Sequence, residues 1–207
     1  MSFASSAQHK QYEWEKRISV LRDQGIDSFI LYSPCESSLL PPLLDTCRIS
    51  NKKYFIWTNG KKTFVQKFSD CFNEEASAYT ELASVIVTLD SSAAFNYFLT
   101  NLDAIISDEI LPSILRDTVN GKVQFIPIKA FDYCYIGIDI FLKTSQFPKG
   151  FSDDRLFDGK IHNEDGSIRA FRENINYDHN KSSPIYQLSL LLDNFITALE
   201  KQNSFKF

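Results

Sequence analysis

Residues 52–68 read KKYFIWTNGKKTFVQKF. Two runs rich in aromatic and β-branched side chains, Lys52 to Thr58 and Lys61 to Phe68, flank Asn59-Gly60. An Asn-Gly pair in that setting is the strongest short-range signal for a β-hairpin, because both residues tolerate the positive φ of a type I′ turn. A two-residue turn sets Thr58 opposite Lys61, Trp57 opposite Lys62, Ile56 opposite Thr63 and Phe55 opposite Phe64. Alternation then places Phe55, Trp57 and Phe64 on one face and Tyr54, Ile56 and Val65 on the other. Each face has an apolar centre, so cover is expected on both sides.

Working outward, the flanking segments read as helices and further strands. Trp14, Ile18 and Leu21 fall on one face of a helix from about Ser6 to Gln24, which Gly25 is placed to end. Ser28 to Tyr32 is a short strand. Pro34, Pro41 and Pro42 make Ser33 to Ser50 a loop, with one helical turn at Leu43-Leu44. Asn73 is placed to cap a helix from Glu74 to Leu89. Ser92 is placed to cap another from Ala93 to Ile106, with a full amphipathic stripe. A short helix is read over Pro112 to Thr118, ending at Asn120-Gly121. Val123 to Ile128 and Tyr133 to Leu142 are strands, the second with one wholly apolar face. A polar, loop-rich segment covers about 144–183, inside which Asp158 to Ile161 and Ser167 to Phe171 are able to pair. Ser183 and Pro184 then start a last apolar helix. The expected fold is one α+β domain over residues 1–207: an antiparallel sheet with a type I′ hairpin at Asn59-Gly60 and amphipathic helices packed on it.

Composition bounds the class. The chain has 207 residues, 43% hydrophobic and 23% charged, with a formal net charge of −4. These are ordinary values for a folded domain. No signal-peptide core and no bilayer-spanning run is present, so a cytoplasmic protein without a membrane partner is expected. The four cysteines, Cys35, Cys47, Cys71 and Cys134, form no C-x-x-C pair, and free thiols are expected. Lysine outnumbers arginine, a usage associated with AT-rich bacterial or phage genomes.

Charge is unevenly distributed. Between Arg48 and Lys67 lie six cations and no acid; between Ser69 and Leu115 lie eight acids and no cation. Most familiar nucleotide and nucleophile motifs are absent. The leading expectation is therefore a non-enzymatic protein-binding module, of the inhibitor or immunity type or a subunit of a bacterial or phage assembly. Its candidate contact residues are Trp57, Lys61 and Lys62 of the basic hairpin and Glu74, Glu75 and Glu81 of the acidic segment. No cofactor is expected. Two alternatives stand beside it. His162, Asp165 and His179, within an acidic stretch from Asp153, are residue types that bind a divalent metal and activate water in a hydrolase or nuclease. The basic 48–67 hairpin has the cations and aromatics of a nucleic-acid binder. Asp139, a carboxylate in the middle of an apolar strand, is a further point of interest.

Overall fold

Strand β1 (Phe29–Ser33) is the centre from which the architecture is built. The computed structural model describes residues 12–35, 43–44, 47–73, 78–128, 134–163 and 165–207. Helix α1 (Glu13–Asp23) precedes β1, and Gly25, at φ 72°, turns the chain out of it. Strands β2 (Leu43–Leu44), β3 (Cys47–Thr58), β4 (Thr63–Asn73), β5 (Ala78–Ala83) and β6 (Val87–Leu89) follow. Helices α2 (Ala93–Thr100) and α3 (Leu102–Ser107) come next, then strands β7 (Ile114–Val119), β8 (Lys122–Pro127), β9 (Tyr135–Phe141) and β10 (Gln146–Ser152). A 3₁₀ turn at Asp153–Leu156 leads to the short strands β11 (Lys160–His162), β12 (Ile168–Phe171) and β13 (Glu173–Asn174). Helices α4 (Tyr177–Ser182) and α5 (Pro184–Lys201) close the described chain.

The main sheet is antiparallel in the order β10-β9-β1-β3-β4-β5, with β2 on β3 and β6 on β4. Both of its faces are covered, as the alternation in residues 52–68 requires. Phe29, Leu31, Phe55, Trp57, Phe68 and Phe141 face α1 and pack with Leu21, Trp14 and Ile18. Ile30, Tyr32, Tyr54, Ile56, Val65, Ile138 and Ile140 face the other way, against Phe95, Phe98, Ile105, Leu188 and Leu192 of α2, α3 and α5. Helix α5 starts where the sequence says: the Ser183 side chain accepts the Tyr186 N–H, with Pro184 in the first turn. Among the described residues no helix is long and apolar enough to cross a membrane.

The central hairpin is present with a different register. Thr58 pairs with Thr63, Trp57 with Phe64, Ile56 with Val65 and Phe55 with Gln66. The connection is thus residues 59–62. Asn59 acts through its side chain, whose Oδ1 accepts the N–H groups of Lys61 at 3.1 Å and Lys62 at 2.9 Å; Gly60 takes φ 85°. An Asx turn of this kind offers the backbone a looser alternative to the two-residue loop. The register moves by two residues, which leaves every side chain on its expected face.

Several helix expectations give way to strands. Residues 78–83 and 87–89 of the expected Glu74 to Leu89 helix are β5 and β6, which extend the sheet beyond β4. Thr80 of β5 and Val87 and Thr88 of β6 are β-branched and suit a pleated surface better than a helix. The Asn73 cap is instead the last residue of β4. Leu43-Leu44 is a strand, not a helical turn. Ala93 to Ile106 is helical but broken at Asn101, whose Nδ2 donates to Tyr97 O at 2.9 Å and so ends α2. Instead of a helix over Pro112 to Thr118, β7 runs from Ile114 to Val119, and Asn120-Gly121 turns it into β8: φ is 52° at Asn120 and 74° at Gly121, the pair of positive angles a type I′ turn demands.

The free-thiol expectation is overturned. Cys35, just after β1, is disulfide-bonded to Cys134, just before its neighbour β9, and Cys71 is disulfide-bonded as well. No cysteine is free among the described residues. The 144–183 segment is also more structured than its composition suggests, since it carries five elements and a turn of 3₁₀ helix. The Asp158 to Phe171 pairing expected from sequence is there as β11 and β12.

Candidate protein-interaction surface

A second, smaller sheet stands apart from the main one, in the order β13-β7-β8. Its inner end is fixed by buried amides. Asn174, 5% exposed, accepts the Ile114 N–H and donates to Ser113 Oγ and Phe157 O. Asn180, fully buried, both accepts from and donates to the backbone of Leu111 and donates to Arg155 O. Buried polar groups of this kind are fully partnered, so they position backbone instead of offering chemistry. Ion pairs Arg116–Glu173 at 3.5 Å and Arg172–Asp117 at 3.0 Å brace the outer part. At Gly159, φ 85°, an added Cβ would lie 1.9 Å from Arg172 O, so only glycine admits this approach of the chain to the end of β12.

Among the described residues the outer strand of this sheet has one side without a neighbouring strand. Every residue of β8 is exposed, Phe125 to 60% and Val123 to 50%. Antiparallel pairs alternate between hydrogen-bonded and non-bonded positions. Ile128 N–H donates to Ser113 O at 3.0 Å, which marks that pair as bonded. Counting back along the register, Leu115/Ile126, Asp117/Gln124 and Val119/Lys122 are bonded, and Ile114/Pro127, Arg116/Phe125 and Thr118/Val123 are not. The backbone groups of Val123 and Phe125 therefore point away from β7. Pro127 falls at such an outward position, where its missing N–H costs no ladder bond. No further strand pairs with β8 among the described residues.

The residues singled out in the sequence lie elsewhere, and not together. Trp57 is 4% exposed and stacked on Phe64, with ring centroids 5.6 Å apart, so its face is not offered to a base or a partner. Lys61 and Lys62 are exposed at the hairpin tip. Two other cations of the hairpin are engaged elsewhere: Lys67 is buried and paired with Glu200 at 2.7 Å, and Lys53 sits over the Trp14 ring at 4.4 Å. Glu74 and Glu75 lie outside the described residues. Glu81 is on β5, and its carboxylate accepts the backbone N–H groups of Glu13 and Trp14, capping α1 from across the fold. Burial raises its pKa despite those bonds.

His162 and His179 are separated into different local structures. His162, on β11, places Nδ1 3.0 Å from Gly166 O, and Asp165 accepts from Ser167 in the same turn. His179 lies on α4, with Nε2 3.3 Å from Glu109 O. Among the described residues no three His, Cys, Asp or Glu side chains gather closely enough to hold a metal ion. Asp139 is half-buried on the α1 face. Burial raises its pKa, while a hydrogen bond from Gln146 and the charge of Lys53 oppose the rise.

An open cleft of about 610 Å³ lies at the β3 bulge, lined by Tyr12, Asn51, Lys52, Lys53, Asp70 and Tyr135 among others. Asn51 takes φ 50° there and donates to Asp70 at 2.9 Å. Its chemistry is mixed in sign, and Lys53 is already held between Trp14 and the carboxylates of Glu81 and Asp139. The β8 edge is the better defined feature. Its hairpin turns on Asn120-Gly121, the same pair as Asn59-Gly60, but only the run after it, Val123 to Ile128, reads as a strand. No protein-family model matches this chain, and no curated protein or solved structure shows a match to it.

Proposed function

We propose that the chain is a non-enzymatic protein-binding module whose docking element is the outer edge of β8. The observation that carries this reading is a strand exposed along its whole length, with the backbone of Val123 and Phe125 directed away from β7. Such an edge takes an extended segment by strand addition: main-chain bonds supply affinity, and side chains on the two faces supply selectivity. Natural proteins blunt free edges unless they are used. Here the blunting is partial. Lys122 and Pro127 fence the strand at its ends and leave Val123 to Ile126 open. An antagonist of the inhibitor or immunity type, or a subunit of a bacterial or phage assembly, fits this mode of binding.

The cytoplasmic placement expected from sequence has the disulfides against it. The Cys35–Cys134 bridge and the bonded Cys71 favour an oxidising compartment. The test of the docking edge uses the chain itself as bait in extract of its native host, with Val123→Pro as the matched bait. The expected result is a protein, whether a second copy of this chain or another, retained by the native chain and lost by the variant. Equal retention by both removes β8 from the reading.

A further inference from the structure

We infer that the occupant of the β8 edge is a second copy of this chain, joined antiparallel about a two-fold axis through Gln124. This rests on the reading of β8 as a docking edge. The edge has two residues with both backbone groups outward, Val123 and Phe125, and one, Pro127, with a carbonyl alone. An axis through Val123 leaves Phe125 against a turn residue. An axis through Phe125 sets Val123 against the N–H that Pro127 lacks. Only the axis through Gln124 pairs Val123 with the partner's Phe125 and Phe125 with the partner's Val123, so every outward N–H finds a carbonyl.

The same register suits the side chains. Val123 and the partner's Phe125 become a directly opposed apolar and aromatic pair, the kind that stabilises sheets. Lys122 falls opposite the partner's Ile126, so no like charges meet. The two small sheets merge into one of six strands, β8 against β8 at the centre. The interface is isologous and closes on itself: each edge is consumed by the other, so growth stops at two.

The test is sedimentation of the full chain over a concentration series, with two variants chosen by register. Val123→Pro removes an outward N–H and leaves the bonds to β7 intact. The two-fold axis doubles that loss to two hydrogen bonds, which weakens the dimer by about thirty-fold. Gln124→Cys places two thiols at a non-bonded pair, where Cα atoms lie about 4.5 Å apart, within disulfide reach. Under mild oxidation it forms a covalent dimer that neither the native chain nor Lys122→Cys forms. A dimer that Val123→Pro leaves unchanged, or cross-linking equally fast at residues 122 and 124, overturns the register. A monomer at all concentrations overturns self-pairing; if Val123→Pro still abolishes capture of a host protein, the docking-edge reading stands without it.

Discussion

Asn180 and Leu111 hold each other twice: the Leu111 N–H donates to Asn180 Oδ1 and the Asn180 Nδ2 donates to Leu111 O, both at 2.9 Å. A side-chain amide here imitates a neighbouring strand. It anchors the extended backbone ahead of β7 to α4, and a third bond reaches Arg155 O at 2.8 Å. The β7–β8 hairpin is therefore mounted on a fixed base although no described strand covers its outer edge.

Asn180→Ala strips the partners from three part-buried backbone groups, the Leu111 N–H and the Leu111 and Arg155 carbonyls. The expected cost is about 3 kcal/mol, since each buried group left unpaired bears its own desolvation penalty. Thermal unfolding of the variant reads it directly. Hydrogen exchange adds a local signature, with faster exchange at Leu111 and along β7 than in β1 or β3.

Two carboxyls are expected to tune stability with opposite sign. Burial tends to raise the Glu200 pKa, but the bonds from Lys67 and the Tyr54 hydroxyl outweigh it, and the net value is lowered. The folded state thus prefers the ionised form. Its contribution is present above the ordinary carboxylate pKa and is lost as pH falls through the lowered one. Glu200→Gln should lower the melting temperature at pH 7 and make little difference in strong acid.

Asp139 behaves in the reverse way, because its raised pKa means that the folded chain binds the proton more tightly. Its ionisation weakens the fold as pH rises through that value. Asp139→Asn should raise the melting temperature at pH 7, with a gain that fades as pH falls below the ordinary carboxylate range. A pH series on the two variants, measured side by side, checks both signs.

Removing the Cys35–Cys134 bridge by a double substitution to alanine should cost about 3 kcal/mol, in the usual range for a disulfide that closes a long loop. The two residues are 99 apart in sequence. Denaturant unfolding of the native and variant chains without reductant, where the bond of Cys71 stays intact in both, isolates the effect; with reductant the two chains should converge.

Gly159→Ala should be poorly tolerated. Its φ of 85° disfavours any side chain, and the new Cβ would collide with the Arg172 carbonyl. The expected loss is about 2 kcal/mol or more, combining left-handed strain with backbone displacement. Gly121→Ala shares the positive φ but meets nothing within 4 Å, so it should show the strain alone, about 1 kcal/mol. Comparing the two melting temperatures separates strain from collision.

The architecture was readable wherever a periodic pattern met its own punctuation. The last helix carried a cap, a proline and a continuous stripe, and α5 begins at Pro184 as expected. The alternation around Phe55 and Ile56 foretold a sheet covered on both faces. What escaped was non-local. The β-branched residues of 78–89 lean towards strand, but the partner that makes them one, the open edge of β4, is not written in that segment. Asn120-Gly121 was read as a helix end because Pro112 to Thr118 carries no strong strand pattern of its own. The contact surface was harder still. Charge drew attention to Trp57 and Glu81, whereas folding buries the first in the core and turns the second to capping α1. An unused backbone edge has no signature in composition, and it emerges only from the parity of a register.

The Cys35–Cys134 bridge has one more consequence. It joins the ends of two adjacent strands in the main sheet, so residues 36–133 form a covalent ring with both exits tied together. The β7–β8 hairpin lies on that ring. A protease that nicks the chain at Asn120-Gly121, the exposed tip, opens a loop without releasing a fragment. The severed β8 stays tethered to the body, and separating the two pieces takes unfolding as well as reduction, because β1 and β9 remain paired.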